Sequence, residues 1–195
     1  EKAEATAALL RVVPRVDLKR GPTEQPLTPA LAHWEDRSGK ATFAQAREQL
    51  VQGQFKTRSV PHAAGARPTA FWYVVPVRRV DLEQGRWLAV VGMPYLDDVQ
   101  VWLERGDGRI EHQQLGDHFL AQGRQINARH HTVGMNLQPD EEVLIWVRAQ
   151  TDGTMRFTFW LDTPSHYFNQ EVNTSALLGM FIGVLALGCL TYALI

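Results

Sequence analysis

Glu142-Val143-Leu144-Ile145-Trp146-Val147-Arg148-Ala149-Gln150 (EVLIWVRAQ) is the stretch that decides the fold. It is rich in β-branched and aromatic residues, and Pro139-Asp140 and Asp152-Gly153 bound it with turn formers, so it reads as a strand. Side chains on a strand point alternately to the two faces. Val143, Ile145 and Val147 therefore share a core face, and Leu144, Trp146, Arg148 and Gln150 share the other. The same period extends outward. Thr69–Val80, Arg86–Gly92, Asp98–Glu104, Arg129–Leu137 and Met155–Asp162 all read as strands, separated by Glu83-Gln84-Gly85, Gly106-Asp107-Gly108 and the two turns already named. Short strands at this cadence predict an antiparallel sandwich or barrel.

The neighbouring strands repeat the division of faces. Val99, Val101 and Leu103 form a core set with Gln100, Trp102 and Glu104 opposite; Met155, Phe157, Phe159 and Leu161 form another with Arg156, Thr158, Trp160 and Asp162 opposite. Three tryptophans thus fall among polar neighbours. Trp102, Trp146 and Trp160, with Gln100, Arg148 and Asp162, are the candidate ligand residues. Aromatic rings cover the apolar faces of a sugar while the polar side chains bond its hydroxyls or carboxylate. The competing reading is that the rings are ordinary cross-strand pairs or lie beneath the helix that starts at Phe43.

Before the strands, residues 1–30 form an N-terminal segment. Glu1–Ala8 reads as loose, Leu9–Leu18 as an edge strand interrupted by Pro14, and Gly21–Pro29 as a proline-rich connector. His33–Gly39 reads as a turn. Thr42-Phe43-Ala44-Gln45 has the spacing of a capping box, which predicts one short helix over Phe43–Gln52, stopped by Gly53.

Ala176–Ile195 (ALLGMFIGVLALGCLTYALI) contains no charged residue and no proline. At about 1.5 Å per residue it is long enough for the roughly 30 Å hydrocarbon layer, so it reads as a transmembrane helix entered through a linker at 169–175. The run reaches the last residue without a cytoplasmic flank, so the span reads as truncated. From Phe157 onward there is no Lys or Arg, which places the preceding domain, residues 31–168, outside the cytoplasm. Gly179 and Gly183 have the spacing that lets membrane helices approach closely.

The 195 residues carry 20 Lys plus Arg against 21 Asp plus Glu, a net charge of −1, so no basic stripe marks a nucleic-acid partner. Cys189, the only cysteine, lies in the apolar run, which excludes a disulfide framework and suits a periplasmic location. No nucleophile elbow and no phosphate loop is present, so this segment does not read as an enzyme. For calcium, Asp36, Asp97 and Asp98 are the candidate ligands, alongside Glu35, Ser38, Asp107 and Asp117, although acidic turn residues are usually turn formers. His130-His131 alternate faces and do not make a zinc pair. Asn173-Thr174-Ser175 matches a glycosylation acceptor, which is a chance match if the protein is bacterial.

Trp34-Glu35-Asp36-Arg37-Ser38-Gly39 before a capped helix, then Phe71-Trp72-Tyr73-Val74-Val75, Met93 to Leu103, Leu115-Gly116-Asp117, Trp146-Val147-Arg148 and Phe159-Trp160-Leu161 resemble the extracellular domain 2 of bacterial seven-transmembrane receptors with diverse intracellular signalling modules (7TMR-DISM). The resemblance runs from about Leu31 to the end. It implies an all-β, jelly-roll-like sandwich similar to carbohydrate-binding modules, held in the periplasm at the bacterial inner membrane and followed by seven helices. The output it implies is a histidine kinase of a two-component system or a diguanylate cyclase. The expected partners are then the membrane, a small-molecule or glycan ligand, and a second copy or a partner receptor. A calcium-responsive sensor and a dimerisation module using the aromatic face are the alternatives.

Overall fold

The computed structural model describes residues 2–19, 24–57, 69–81, 83, 85–92, 96–116, 128–153 and 157–193. Met155, Arg156 and Asp117 lie outside the described residues. In order, the elements are α1 (Lys2–Leu9), β1 (Val16–Leu18), β2 (Gln25–Pro26), a 3₁₀ turn (Thr28–Ala30), β3 (Ala32–Asp36), α2 (Phe43–Val51), β4 (Ala70–Arg79), β5 (Arg86–Val91), β6 (Asp98–Arg105), β7 (Ile110–Leu115), β8 (His131–Asn136), β9 (Glu142–Gln150), β10 (Phe159–Asp162) and α3 (Pro164–Ala193).

Two sheets face each other. The larger has the order β1-β4-β9-β6-β7, with β3 also on β4; the smaller has the order β2-β10-β5-β8. All pairings are antiparallel except β1 with β4, which is parallel. One edge of β4 is shared: β3 pairs with Ala70–Val74 and β1 with Val77–Arg79. Pro76, which has no amide hydrogen to give a ladder, falls in the gap between them.

The period-two reading of the faces holds. Val99, Val101 and Leu103 from β6, Val143, Ile145 and Val147 from β9, and Phe157, Phe159 and Leu161 around β10 all enter the core between the sheets. There Tyr73 and Phe157 stack with centroids 3.8 Å apart, and burial pushes the Tyr73 hydroxyl well above its ordinary range. The intervening residues of β4, β9 and β6 (Trp72, Val74, Leu144, Trp146 and Trp102) form a second cluster on the outer face of the larger sheet, covered by Leu9, Val13, Ala46 and Leu50. A third, on the outer face of the smaller sheet, joins Leu88 and Val90 to Tyr167 of α3.

Four expectations are corrected. Residues 2–9 are not loose but helical, because Thr6 and Leu9 are anchored on the larger sheet. The strand expected over Leu9–Leu18 is confined to Val16–Leu18, beyond Pro14. His33–Asp36 is strand rather than turn, with Trp34 opposite Trp72. Residues 169–175 are no linker: α3 runs unbroken from Pro164 to Ala193. Thr163 caps it, accepting a bond from the His166 amide at 3.3 Å, and Pro164 takes the first helical position. Its apolar part has a mean hydropathy of 2.1 and is not buried in the fold.

Candidate functional site

The outer face of the larger sheet is where the sequence places its tryptophans, and the structure covers it. Thr42 and Gln45 form the expected capping box, with the Thr42 amide donating to Gln45 Oε1 at 2.8 Å and the Gln45 amide to Thr42 Oγ1 at 3.3 Å. The helix so started sets Phe43 over the sheet, 5.0 Å from Trp102 in a stack and edge-on to Trp146 at 5.4 Å. His112 stacks on Trp102 at 4.5 Å, so that ring is sandwiched and 8% exposed. Trp146 is fully buried.

The expectation of one ligand platform is therefore corrected in two ways. Trp102 and Trp146 are cross-strand partners, but α1, α2 and Phe55 bury them because large rings on a sheet face are stabilised by leaving water. Trp160 belongs to the other sheet, half-buried against His130. The polar members are also engaged. Arg148 bonds Asp98, Gly39 O at 2.7 Å and Gln150 Oε1 at 2.6 Å. Gln100 donates to Asp98 and contacts His112 at 3.3 Å. Asp162 is wholly buried, both oxygens 2.9 Å from His166 Nδ1.

A charged group missed by the sequence reading holds this face together. Glu104 is fully buried and accepts from Arg47 through both oxygens (2.7 and 3.2 Å), from Trp146 Nε1 (3.1 Å) and from Thr6 Oγ1 (2.7 Å). One carboxylate thus ties α1, α2 and β9 together. The signal in the sequence was a lone Glu on the face opposite the core set of β6.

The proposed calcium ligands do not converge. Asp36 accepts from the Ser38 amide (3.0 Å) and hydroxyl (2.6 Å) and from the Ala41 amide (2.8 Å), so it shapes a turn. Asp97 accepts from the Asp152 amide, and Asp98 pairs with Arg148. Among the described residues no group of three or more His, Cys, Asp or Glu side chains is placed to hold a metal ion.

The aromatic cluster reaches solvent at Trp34. Its ring lies 6.3 Å from Phe55, and Trp34 lines a cleft of about 400 Å³ together with residues of the Asp36–Ala41 turn and with Gln45, Glu48 and Gln49 of α2. The turn is held from three sides, by Asp36, by Arg148 on Gly39 O and by the capping box. A second cleft, about 320 Å³, lies between β5, β8 and the start of α3 and includes Arg86, Met135 and Phe168.

The junction with α3 is built from buried groups. Tyr167 is 2% exposed; its hydroxyl lies 3.0 Å from His130 Nδ1, and Glu171 lies 3.7 Å from the same nitrogen. Burial lowers the His130 pKa and raises that of Tyr167. Gly179 and Gly183 face open space.

No curated protein matches the chain. Among solved structures it is similar to the GH31 alpha-xylosidase from Xanthomonas citri, with 10% identity and a TM-score of 0.34 over 74% of this chain and 16% of that one. It is also similar to an exo-beta-1,3-galactanase from Phanerochaete chrysosporium, with 13% identity and a TM-score of 0.27 over 52% of this chain and 25% of that one. The chain thus spans a quarter or less of either protein. The model of the family 7TMR-DISM extracellular 2 matches residues 28–163, from the 3₁₀ turn to the cap of α3. That match covers most of the chain, which therefore belongs to the 7TMR-DISM extracellular 2 family, as an extracellular sensor domain joined to an apolar helix long enough to cross a membrane.

Proposed function

We propose that this chain is the periplasmic input of an inner-membrane receptor, binding a small ligand such as a carbohydrate and passing occupancy to a kinase or cyclase output through α3. One observation carries the reading: the last strand of the sandwich ends at Asp162, and the helix capped by the next residue is both seated on the smaller sheet through Tyr167 and continuous with the apolar span. A helix held in this way shares any shift of the sheet. Ligand binding then biases two positions of α3 by as much as its affinity differs between them.

The test is Tyr167→Ala in the receptor that carries this chain. Unseating the helix raises hydrogen exchange in residues 165–171 and in β5, and it fixes the output at one level whatever the ligand. An output that still responds as in the wild type would overturn the reading.

A further inference from the structure

We infer that the Trp34 cleft is the ligand site and that its ligand is a saccharide; the inference rests on the sensor reading above and gives it a location. The aromatic cluster on the larger sheet is closed by α1 and α2 along most of its length, and at Trp34 a ring of that cluster is only half-buried. Phe55 packs beside the ring, tilted 33° to it. A partly exposed indole is the surface on which the C–H face of a pyranose packs.

The groups around it have the chemistry of hydroxyl recognition. Gln45, Glu48 and Gln49 are spaced i, i+3, i+4, so they share one face of α2, while Ala46 and Leu50 bury the other. Their carboxamides and carboxylate offer donors and acceptors, and a sugar hydroxyl is both. Gln45 uses its Oε1 in the capping box, and its amide NH₂ is the donor it brings to the lining. Lys40 is the one cation of the lining, set against the carboxylates of Glu48 and Asp36, and both oxygens of Asp36 are spent on the turn, so the cleft has no cationic excess that would select a phosphate. The walls are preorganised by Asp36 and Arg148, so ordering the turn costs little on binding. At about 400 Å³ the cleft has room for one or two sugar rings.

Occupancy here reaches the rest of the fold through contacts already described. Gly39 O in the cleft wall accepts from Arg148 on β9, and Arg47, on the same helix as Gln45, holds the buried Glu104.

The experiment uses the whole chain in lipid nanodiscs, since a maltoside detergent would itself present a saccharide. Short xylo-, cello-, malto- and chito-oligosaccharides are titrated by calorimetry and by tryptophan fluorescence. At least one of them is expected to bind and to perturb the fluorescence. Trp34→Ala then weakens it at least about tenfold, and so does the double variant Glu48→Ala, Gln49→Ala, at an exposed and a half-buried position away from the buried Ala46 and Leu50, which leaves the fold intact. Arg86→Ala, in the second cleft on the smaller sheet, leaves the affinity unchanged. Absence of binding by every oligosaccharide overturns the saccharide assignment. Binding that survives both cleft variants in a folded protein overturns the location. In either case the sensor reading stands or falls separately, on the Tyr167→Ala response.

Discussion

The two outer faces of the sandwich solve the same problem with different partners. Each sheet carries apolar side chains on the side away from the core, and each must hide them. On the larger sheet the cover is local to the domain: α1 and α2 lie over Trp72, Trp102, Leu144 and Trp146 and are locked by Glu104. On the smaller sheet the cover over Leu88 and Val90 is the first turns of the membrane helix. The first arrangement makes a rigid platform, whereas the second makes the membrane helix part of the fold. On the function proposed above, the larger sheet is the face to hold a binding site still, and the smaller is the one to report a change.

The sharpest way to break this comparison is to remove the lock. Glu104→Ala leaves Arg47, Thr6 and the Trp146 indole without their acceptor and is expected to cost about 4 kcal/mol of stability, measured by urea unfolding of the whole chain in nanodiscs. A loss below 1 kcal/mol would mean that α1 and α2 are held by apolar contact alone. Tyr167→Ala should cost less in global stability, about 2–3 kcal/mol, because the sandwich core between the sheets stays intact. Its signature is local, with faster hydrogen exchange confined to the smaller sheet and the start of α3.

Next in size is the helix cap. Thr42→Ala removes one half of the capping box and is expected to lower stability by about 1 kcal/mol; an unchanged urea midpoint would show that tertiary packing alone sets the start of α2.

Acid distinguishes the faces less by size than by address. Burial lowers the pKa of His33 and His112 on the larger sheet, and of His130 at the junction, below the ordinary value of 6.5. The folded state then binds fewer protons than the unfolded chain as pH falls from 6.5, so stability present above that value is lost as the pH passes through the lowered folded values. The melting temperature should fall between pH 7.5 and pH 5, and His130→Gln should remove part of the drop together with any acid-induced loosening of α3. A flat profile would contradict the burial. The smallest effect is expected at Gly179→Ala, where a new methyl group meets nothing within 4 Å: folding should be unchanged, and a change in self-association in lipid would assign the glycine to helix packing.

The sequence was legible where burial is periodic along one strand. β4, β6 and β9 put alternate residues into different clusters, and the box at Thr42 and Gln45 is a purely local signal. It was illegible where the cause lies elsewhere in the chain. β7 (IEHQQL) is almost wholly solvent-facing and carries no apolar period; only its pairing with β6 makes it a strand. β3 reads as a polar turn until Trp34 is set opposite Trp72. The candidate site suffered most, because which strands are neighbours is a property of topology. Trp146 lies beside Trp102, while Trp160, of identical local pattern, lands on the opposite sheet. The upstream half of α3 was signalled by Thr163-Pro164, a cap followed by a first-position proline, but the polar residues after it masked the helix.

The unbroken run of α3 has a mechanical meaning. A helix of 30 residues is a rod about 45 Å long, and its first dozen residues, seated on the smaller sheet through Tyr167, span about 18 Å before the apolar stretch begins. A tilt of about 5° at the seat displaces the far end of such a rod by about 4 Å. With a cap at its root and no hinge along its length, the rod turns small angles in the sheet into ångström-scale travel at its far end, and the domain acts as the short arm of a lever.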